Sequence, residues 1–565
     1  MPDLPRSNIH QPADSNDAPG YPGVNNDEAE NPSYTEALII GAGFSGLRML
    51  HELRTRDIPA RILEAGAGIG GAWFWNNYPG CRTDVESWVY CMNFSEELCQ
   101  EWTWKERYAT QAEVREYLNF VADRFDMRRS ITLNARVTEA HFDEEKKIWN
   151  VKTGTGDALS CRFLIFATGT LSAPRRIPFS GFETFQGEWY QTSSWPEERP
   201  SLKGKRVAII GTGSSGVQVT PLVAHVAKSV HVFQRTPNHI LPSRLGNMTP
   251  EHVSEIKSDY NKVWARAQEH AMGFDLPPAG RTFTGLAADP VAIRRALDAA
   301  YERGGFGAPL QVFDDLFTNK DANRAICDYL REKIYALVKD PETAARLTPD
   351  HAIFAKRPVV GHGYLEAFNK PHVHLVDVRE DPIGEIVSTG IRTKSGRQYD
   401  VDVIIYALGF DALSGALTGI DIRGRGGRTI QDQWSETIDT YQGLSVEGFP
   451  NMFTVLGPKT SLANFPLVAA KTAAEIGKMM SFVREHEHST IEPLREAQDR
   501  WGRFCDMIFN CTVLAADAAR VNSWTVGANI PGKPTGTLWF VGGFPGYVAQ
   551  LSQESEQGYP SYVFG

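Results

Sequence analysis

Two copies of a strand–glycine turn–helix–strand order, with a long helical stretch interrupting the second, predict an α/β protein. Two apolar strands ending in Ala-x-Gly, one on each side of the second copy, fit the same scheme. The fold expected is two Rossmann-like dinucleotide-binding domains with a helical insertion in the second.

Residues 1–34 are rich in Pro, Asp, Asn, Ser and Gly and read as a flexible N-terminal arm. Order begins with the buried-strand pattern Thr35–Ile40, followed by a glycine turn, a helical pattern over Leu47–Arg56 and a strand over Ala60–Glu64. The same order returns over Arg206–Gln234, where VAIIGTGSSG opens the unit and HVFQRT closes it. From Pro242 to about Asp340 the pattern is mostly helical, and residues 371–405 return to short strands. The Ala-x-Gly strands are Phe163–Gly169 and Ile404–Phe410. The predicted division is a discontinuous first domain over 35–175 and 380–565, a second over 176–241 and 345–379, and the insertion over 242–344.

Composition removes several functions. The 565 residues are 42% hydrophobic and 22% charged, which excludes a disordered or collagen-like chain. A net charge of −10 lacks the basic excess of a nucleic-acid binder. No apolar run reaches the roughly 18–20 residues that span a bilayer, and the N-terminus lacks a signal-peptide pattern. The 7 cysteines are odd in number and form no C-x-x-C, which points to a reducing, cytoplasmic compartment.

Gly41-Ala42-Gly43-Phe44-Ser45-Gly46 follows a strand and opens a helix. Its first glycine allows the tight turn, its second admits a pyrophosphate, and its third packs helix on strand. Glu64, ending the next strand, suits the ribose hydroxyls of FAD or NAD and repels a 2′-phosphate. Gly211-Thr212-Gly213-Ser214-Ser215-Gly216 has the same context, but Arg235 replaces the acid. A guanidinium there suits the 2′-phosphate of NADPH. One unit therefore predicts FAD and the other NADPH.

Such a pair of cofactors serves disulfide reductases, dehydrogenases and oxygenases. Cys81, Cys91 and Cys99 lack the C-x-x-x-x-C spacing of a disulfide reductase. No H-x-x-x-H or C-x-x-C pair suggests a metal, and no G-x-S-x-G elbow suggests a serine hydrolase.

The segment Gly70-Gly71-Ala72-Trp73-Phe74-Trp75-Asn76-Asn77-Tyr78-Pro79-Gly80-Cys81-Arg82-Thr83-Asp84 lies in a cluster of five tryptophans between Trp73 and Trp104. It resembles the type I Baeyer–Villiger monooxygenases, whose signature [A/G]-G-x-W-x-x-x-x-[F/Y]-P-[G/M]-x-x-x-D it meets at every fixed position. The resemblance covers about residues 36–540 and includes FQRTPN (233–238), AKRP (355–358) and WTVGANIPGKP (524–534). It departs in the family's shorter fingerprint, where Gln191 stands in place of His within Phe185–Pro196. Glutamine donates and accepts hydrogen bonds but carries no proton near neutral pH. This stretch links the domains in the family, so the departure bears on domain coupling.

The resemblance implies conversion of a ketone to an ester or lactone with O2 and NADPH, through a C4a-peroxyflavin. It implies that Arg357 is the catalytic cation and Asp84 the carboxylate that positions it. It places Phe44, Ser45, Gly71, Ala72, Trp73, Trp75, Asp84, Val85, Tyr90 and Val137 at FAD, with Thr236, Lys356, Arg357 and Trp524 at NADP. It also places the loop Pro458–Phe465 near the substrate. N- or S-oxidising flavin monooxygenases use the same cofactors, and Gln191 also fits a non-oxygenating redox protein. The implied partners are a ketone and O2, with neither nucleic acid nor membrane, and a monomer is consistent with the chain.

Overall fold

The computed structural model describes residues 33–276 and 282–565. The expected N-terminal arm lies almost wholly outside the described residues.

In chain order the principal strands are β1 (Tyr34–Ile40), β2 (Ala60–Leu63), β3 (Ile131–Thr132), β4 (Val137–Asp143), β5 (Ile148–Thr153), β6 (Ala158–Phe166), β7 (Glu188–Gln191), β8 (Arg206–Ile210) and β9 (Ser229–Gln234). They continue with β10 (Ile240–Pro242), β11 (Val359–Gly361), β12 (Val373–Asp377), β13 (Ile383–Val387), β14 (Gly390–Thr393), β15 (Gln398–Asp400), β16 (Val403–Tyr406), β17 (Asp421–Arg423) and β18 (Met452–Thr454).

The first sheet runs β17-β4-β5-β6-β1-β2-β3, with β18 also on β6. Its centre is parallel: Ile39 lies beside Ile62 on one side and Ile165 on the other. The apolar run Ala37–Ile40 is fully or almost fully buried, as a strand covered on both faces must be. The second sheet, β12-β9-β8-β16-β7, is parallel throughout. Both place a glycine turn and then a helix after the founding strand: Phe44–Arg54 follows β1, and Ser214–Val226 follows β8.

The first helix begins at Phe44, directly after Gly43, rather than at Leu47. A larger correction concerns the domain boundary expected at 380. Strand β16 sits between β8 and β7 in the second sheet. The antiparallel β13–β15 meander buries Ile386, Ile391 and Tyr399 against Phe233, Ile404 and Tyr406. The chain therefore stays with the second sheet through Tyr406 and leaves it at Ala407–Gly409. Val403–Tyr406 is an apolar run that only a central parallel position buries.

The insertion is helical because its caps are built in. Thr249, Asp259, Asp289, Asn319 and Asp340 each accept a backbone N–H at the start of a helix. Pro250, Pro290 and Pro341 occupy first-turn positions, where no N–H is needed. The insertion packs in two directions. Val263, Trp264, Phe274 and Phe306 join the core of the first unit. Ile334 and Val338 join that of the second. Among the described residues no helix is long and apolar enough to cross a membrane.

Candidate active site

A cavity of about 1490 Å³ runs between the two glycine turns and under the insertion. Glycine makes the room. Gly41, at φ +110°, would place a Cβ 2.7 Å from the Ala167 carbonyl oxygen. At the mouth of the helix, a Cβ on Gly43 would meet Gly71 Cα at 3.3 Å. Gly70 and Gly71, at φ +145° and +55°, let the signature loop approach so closely. Glu64 is 4% exposed; its carboxylate accepts from the amides of Ala42 at 2.6 Å and Gly66 at 2.7 Å.

Phe44, Ser45, Ala72, Trp73, Trp75, Asp84, Val85, Tyr90 and Val137 also line this half. The Tyr90 ring makes edge contacts with Phe44 at 5.3 Å and Trp73 at 5.6 Å. Burial raises the Tyr90 hydroxyl above its ordinary pKa. Cys81 borders the cavity; like the other six cysteines it is free, and burial pushes its thiol up to about 12.

The second half contains Gly211, Thr212, Gly213, Ser214, Ser215, Arg235, Thr236 and Lys356. Lys356 Nζ donates to the Thr236 carbonyl oxygen at 3.2 Å. Its pKa is lowered to about 8, first by burial and then by the nearby Arg235. Gly46 and Gly216, counted among the cofactor contacts from the sequence, do not reach the cavity. A Cβ on Gly46 would lie 1.8 Å from the Gly41 carbonyl oxygen, and one on Gly216 would lie 2.0 Å from that of Gly211. They seat each helix against its turn instead.

Where the halves meet, Arg357 Nη1 donates to Asp84 Oδ2 at 2.5 Å, bridging 273 positions of chain. The guanidinium lies 5.0 Å from the Phe306 ring centroid. Burial by itself would lower its pKa, but Asp84 outweighs that and the net shift is upward. Asn238 Nδ2 holds the Arg357 carbonyl oxygen at 2.9 Å. Trp524 also lines the cavity and meets Trp539 edge-on at 5.8 Å. Its segment is tied to the crossover: Asn529 donates to the Phe410 carbonyl at 2.8 Å, and Lys533 pairs with Asp411 at 2.5 Å.

Only the later part of the 458–465 loop, Leu462–Phe465, reaches the cavity. Lys459 is buried and paired with Asp506 at 2.9 Å and Asp439 at 3.3 Å. Sequence reasoning missed the apolar wall of Met272, Phe274 and Phe306 from the helical insertion and Phe354 just after it, because these residues carry no local motif. It also missed Arg175, which lines the cavity beside Leu408. Gln191 Nε2 donates to the Arg175 carbonyl oxygen at 3.1 Å, so the fingerprint departure holds the crossover in place.

A sequence profile described as pyridine nucleotide-disulphide oxidoreductase matches residues 38–272. The chain is 38% identical to a Baeyer–Villiger monooxygenase from Pseudooceanicola batsensis, over 94% of this chain and 96% of that one. It superposes on the crystal structure of cyclohexanone monooxygenase from Rhodococcus sp. Phi1 bound to NADP+ with a TM-score of 0.91. That pair is 35% identical, covering 94% of this chain and 99% of the other. A complex of OTEMO with FAD and NADP matches with a TM-score of 0.89 and 36% identity, over 95% and 100% of the two chains.

Proposed function

The chain belongs to the Baeyer–Villiger monooxygenases, and on that premise we propose that it converts a ketone to an ester or lactone with O2 and NADPH. The observation that carries this reading is the Arg357–Asp84 pair, held at 2.5 Å beside an aromatic wall in a cavity bounded by two dinucleotide turns.

The first half fits FAD. Gly41, Gly43 and Gly71 leave a cradle that side chains would fill, and the Glu64 carboxylate retains lone pairs for ribose hydroxyls. The second half fits NADPH, with Arg235 and Lys356 as cations, and Trp524 lines the same cavity. When bound and reduced by NADPH, FAD supplies the activation of O2.

The residues of the chain do the rest. Arg357 stabilises the negative charge that develops on the ketone oxygen, and a permanent cation in a desolvated site does so without a proton transfer. Asp84 keeps the guanidinium aimed and its charge fixed. Phe274, Phe306, Phe354 and Met272 exclude water and receive the carbon frame of the ketone. The seven free cysteines fit a reducing, cytoplasmic setting.

The test is oxygen uptake coupled to NADPH oxidation across small cyclic, large cyclic, steroid-like and aryl ketones. Ketone-dependent consumption with matching ester is the expected result. Ketone-independent oxidation yielding only hydrogen peroxide refutes the reading.

A further inference from the structure

We propose that Arg175 is a third cation of the adenosine 2′-phosphate site, a specificity-determining residue that acts with Arg235 and Lys356. This rests on the NADPH reading above.

The placement comes from the backbone. Strands β8, β9 and β16 end side by side: Ile210 is in register with Phe233 and with Tyr406. The segments leaving these strands therefore gather at one edge of the sheet: the Gly211 turn, Arg235-Thr236 and Ala407–Gly409. The contact is tight, since a Cβ on Gly211 would stand 2.3 Å from the Ala407 carbonyl oxygen. Arg175 belongs to the other crossover but is pinned here. Its amide donates to the Gly409 carbonyl at 3.1 Å, and its guanidinium donates to the Leu408 carbonyl at 3.4 Å. Gln191 holds its carbonyl. The side chain lines the same cavity as Arg235, Thr236 and Lys356.

The charges at this edge are unbalanced. Arg235 has no hydrogen-bond or ion-pair partner among the described residues. Among the described residues Lys356 has only a carbonyl as partner, and Arg175 has no carboxylate within ion-pair distance. The nearby acids are engaged elsewhere: Asp411 by Lys533 at 2.5 Å, and Asp377 by Arg379 at 2.6 Å. Burial lowers the pKa of both Arg175 and Lys356, Arg235 lowers each further, and Asp411 opposes the shift at Arg175. With the strand ends side by side, Arg235 is the common neighbour of the other two. Three cations lining one edge of a cavity, none of them in an ion pair among the described residues, repel one another until an anion arrives. A dianionic phosphate monoester meets that need. A 2′-hydroxyl does not.

The experiment is calorimetric titration of the oxidised, FAD-bound protein with NADP+, NAD+ and 2′,5′-ADP. Charge-assisted hydrogen bonds imply a tenfold to hundredfold effect, to order of magnitude. In Arg175→Met, binding of NADP+ and 2′,5′-ADP is expected to weaken by about that factor, with NAD+ changing by less than about twofold. Arg175→Lys keeps the charge and most of the preference. If Arg175→Met fails to hold FAD, Arg175→Gln retains a donor for Leu408 and is expected to show the same selective loss. Unchanged NADP+ binding, or equal losses for all three ligands, overturns the proposal. Arg235→Ala, titrated in parallel, separates the two levels. If it loses the NADP+ preference while Arg175→Met keeps it, only the role of Arg175 falls. If both variants keep the preference, the NADPH reading of this half falls as well.

Discussion

The two glycine turns have nearly the same backbone and opposite surroundings. Gly41 and Gly211 adopt φ +110° and +112°, and each presses on the alanine of an Ala-x-Gly strand, Ala167 and Ala407. The third glycine of each turn seats its helix in the same way. The middle glycines differ: Gly43 is closed over by Gly71, whereas a Cβ on Gly213 would meet nothing within 4 Å. The recognition residues differ too. Glu64 is buried and fixed by two amides, whereas Arg235 is exposed and unpartnered among the described residues. A walled site with a prearranged acceptor fits a cofactor that stays. An open site with free cations fits one that comes and goes, because its binding energy is realised only when the phosphate arrives.

The most severe way to break this arrangement is at its seam. Arg357→Ala leaves FAD bound but is expected to lower ester formation by about 10²–10³-fold or more, the usual scale for losing a transition-state charge stabiliser. Product analysis by gas chromatography checks it, and retained lactone yield removes Arg357 from the chemistry.

The resident side is probed by Gly46→Ala. The new methyl would fall 1.8 Å from a backbone oxygen, so helix and turn must part. A loss of about 2–4 kcal/mol and FAD-poor protein are expected by flavin absorbance and thermal melting. Gly213→Ala is the counterpart; it is expected to keep FAD and melting temperature and to weaken only NADP+.

On the exchanging side, Arg235→Ala is expected to raise the KM for NADPH about 10- to 100-fold and to leave that for NADH nearly unchanged. The charge of Lys356 adds a pH dependence. With its pKa lowered to about 8, it is protonated at pH 7 and loses its charge as pH rises through 8. NADP+ binding should therefore weaken between pH 7 and 9, and Lys356→Met should flatten that profile. Removing Arg235 takes away a like charge, so the midpoint should move upward.

The smallest effect is expected from Gln191→Ala. One hydrogen bond to the Arg175 carbonyl is lost, worth about 0.5–1.5 kcal/mol by denaturant titration. A change that also erodes NADP+ preference would tie the crossover to the phosphate site.

Much of the site was legible in the sequence, because its chemistry is carried by short segments. Gly41–Gly46, Gly70–Asp84 and Gly211–Gly216 each combine a turn with the residues it presents, and Glu64 and Arg235 follow at fixed distances along their own strands. Less legible were contributions whose partners lie far along the chain. The aromatic wall comes mostly from an insertion whose pattern states only that it is helical, with Phe354 added just beyond it. Arg175 carries no motif, and its place at the phosphate end of the sheet emerges only with β16 beside β8. The boundary expected at 380 failed for the same reason, since a four-residue apolar run does not state which sheet will bury it.

The sequence by itself determined the two turns, the helices that open from them and the opposite signs of their recognition residues. These follow from local backbone sterics, caps and side-chain charge. The family resemblance already implied that Asp84 positions Arg357; only the tertiary structure decided that three cations share one sheet edge and that the insertion walls the cavity. Those depend on burial across the whole chain, where apolar residues separated by hundreds of positions must find a common core.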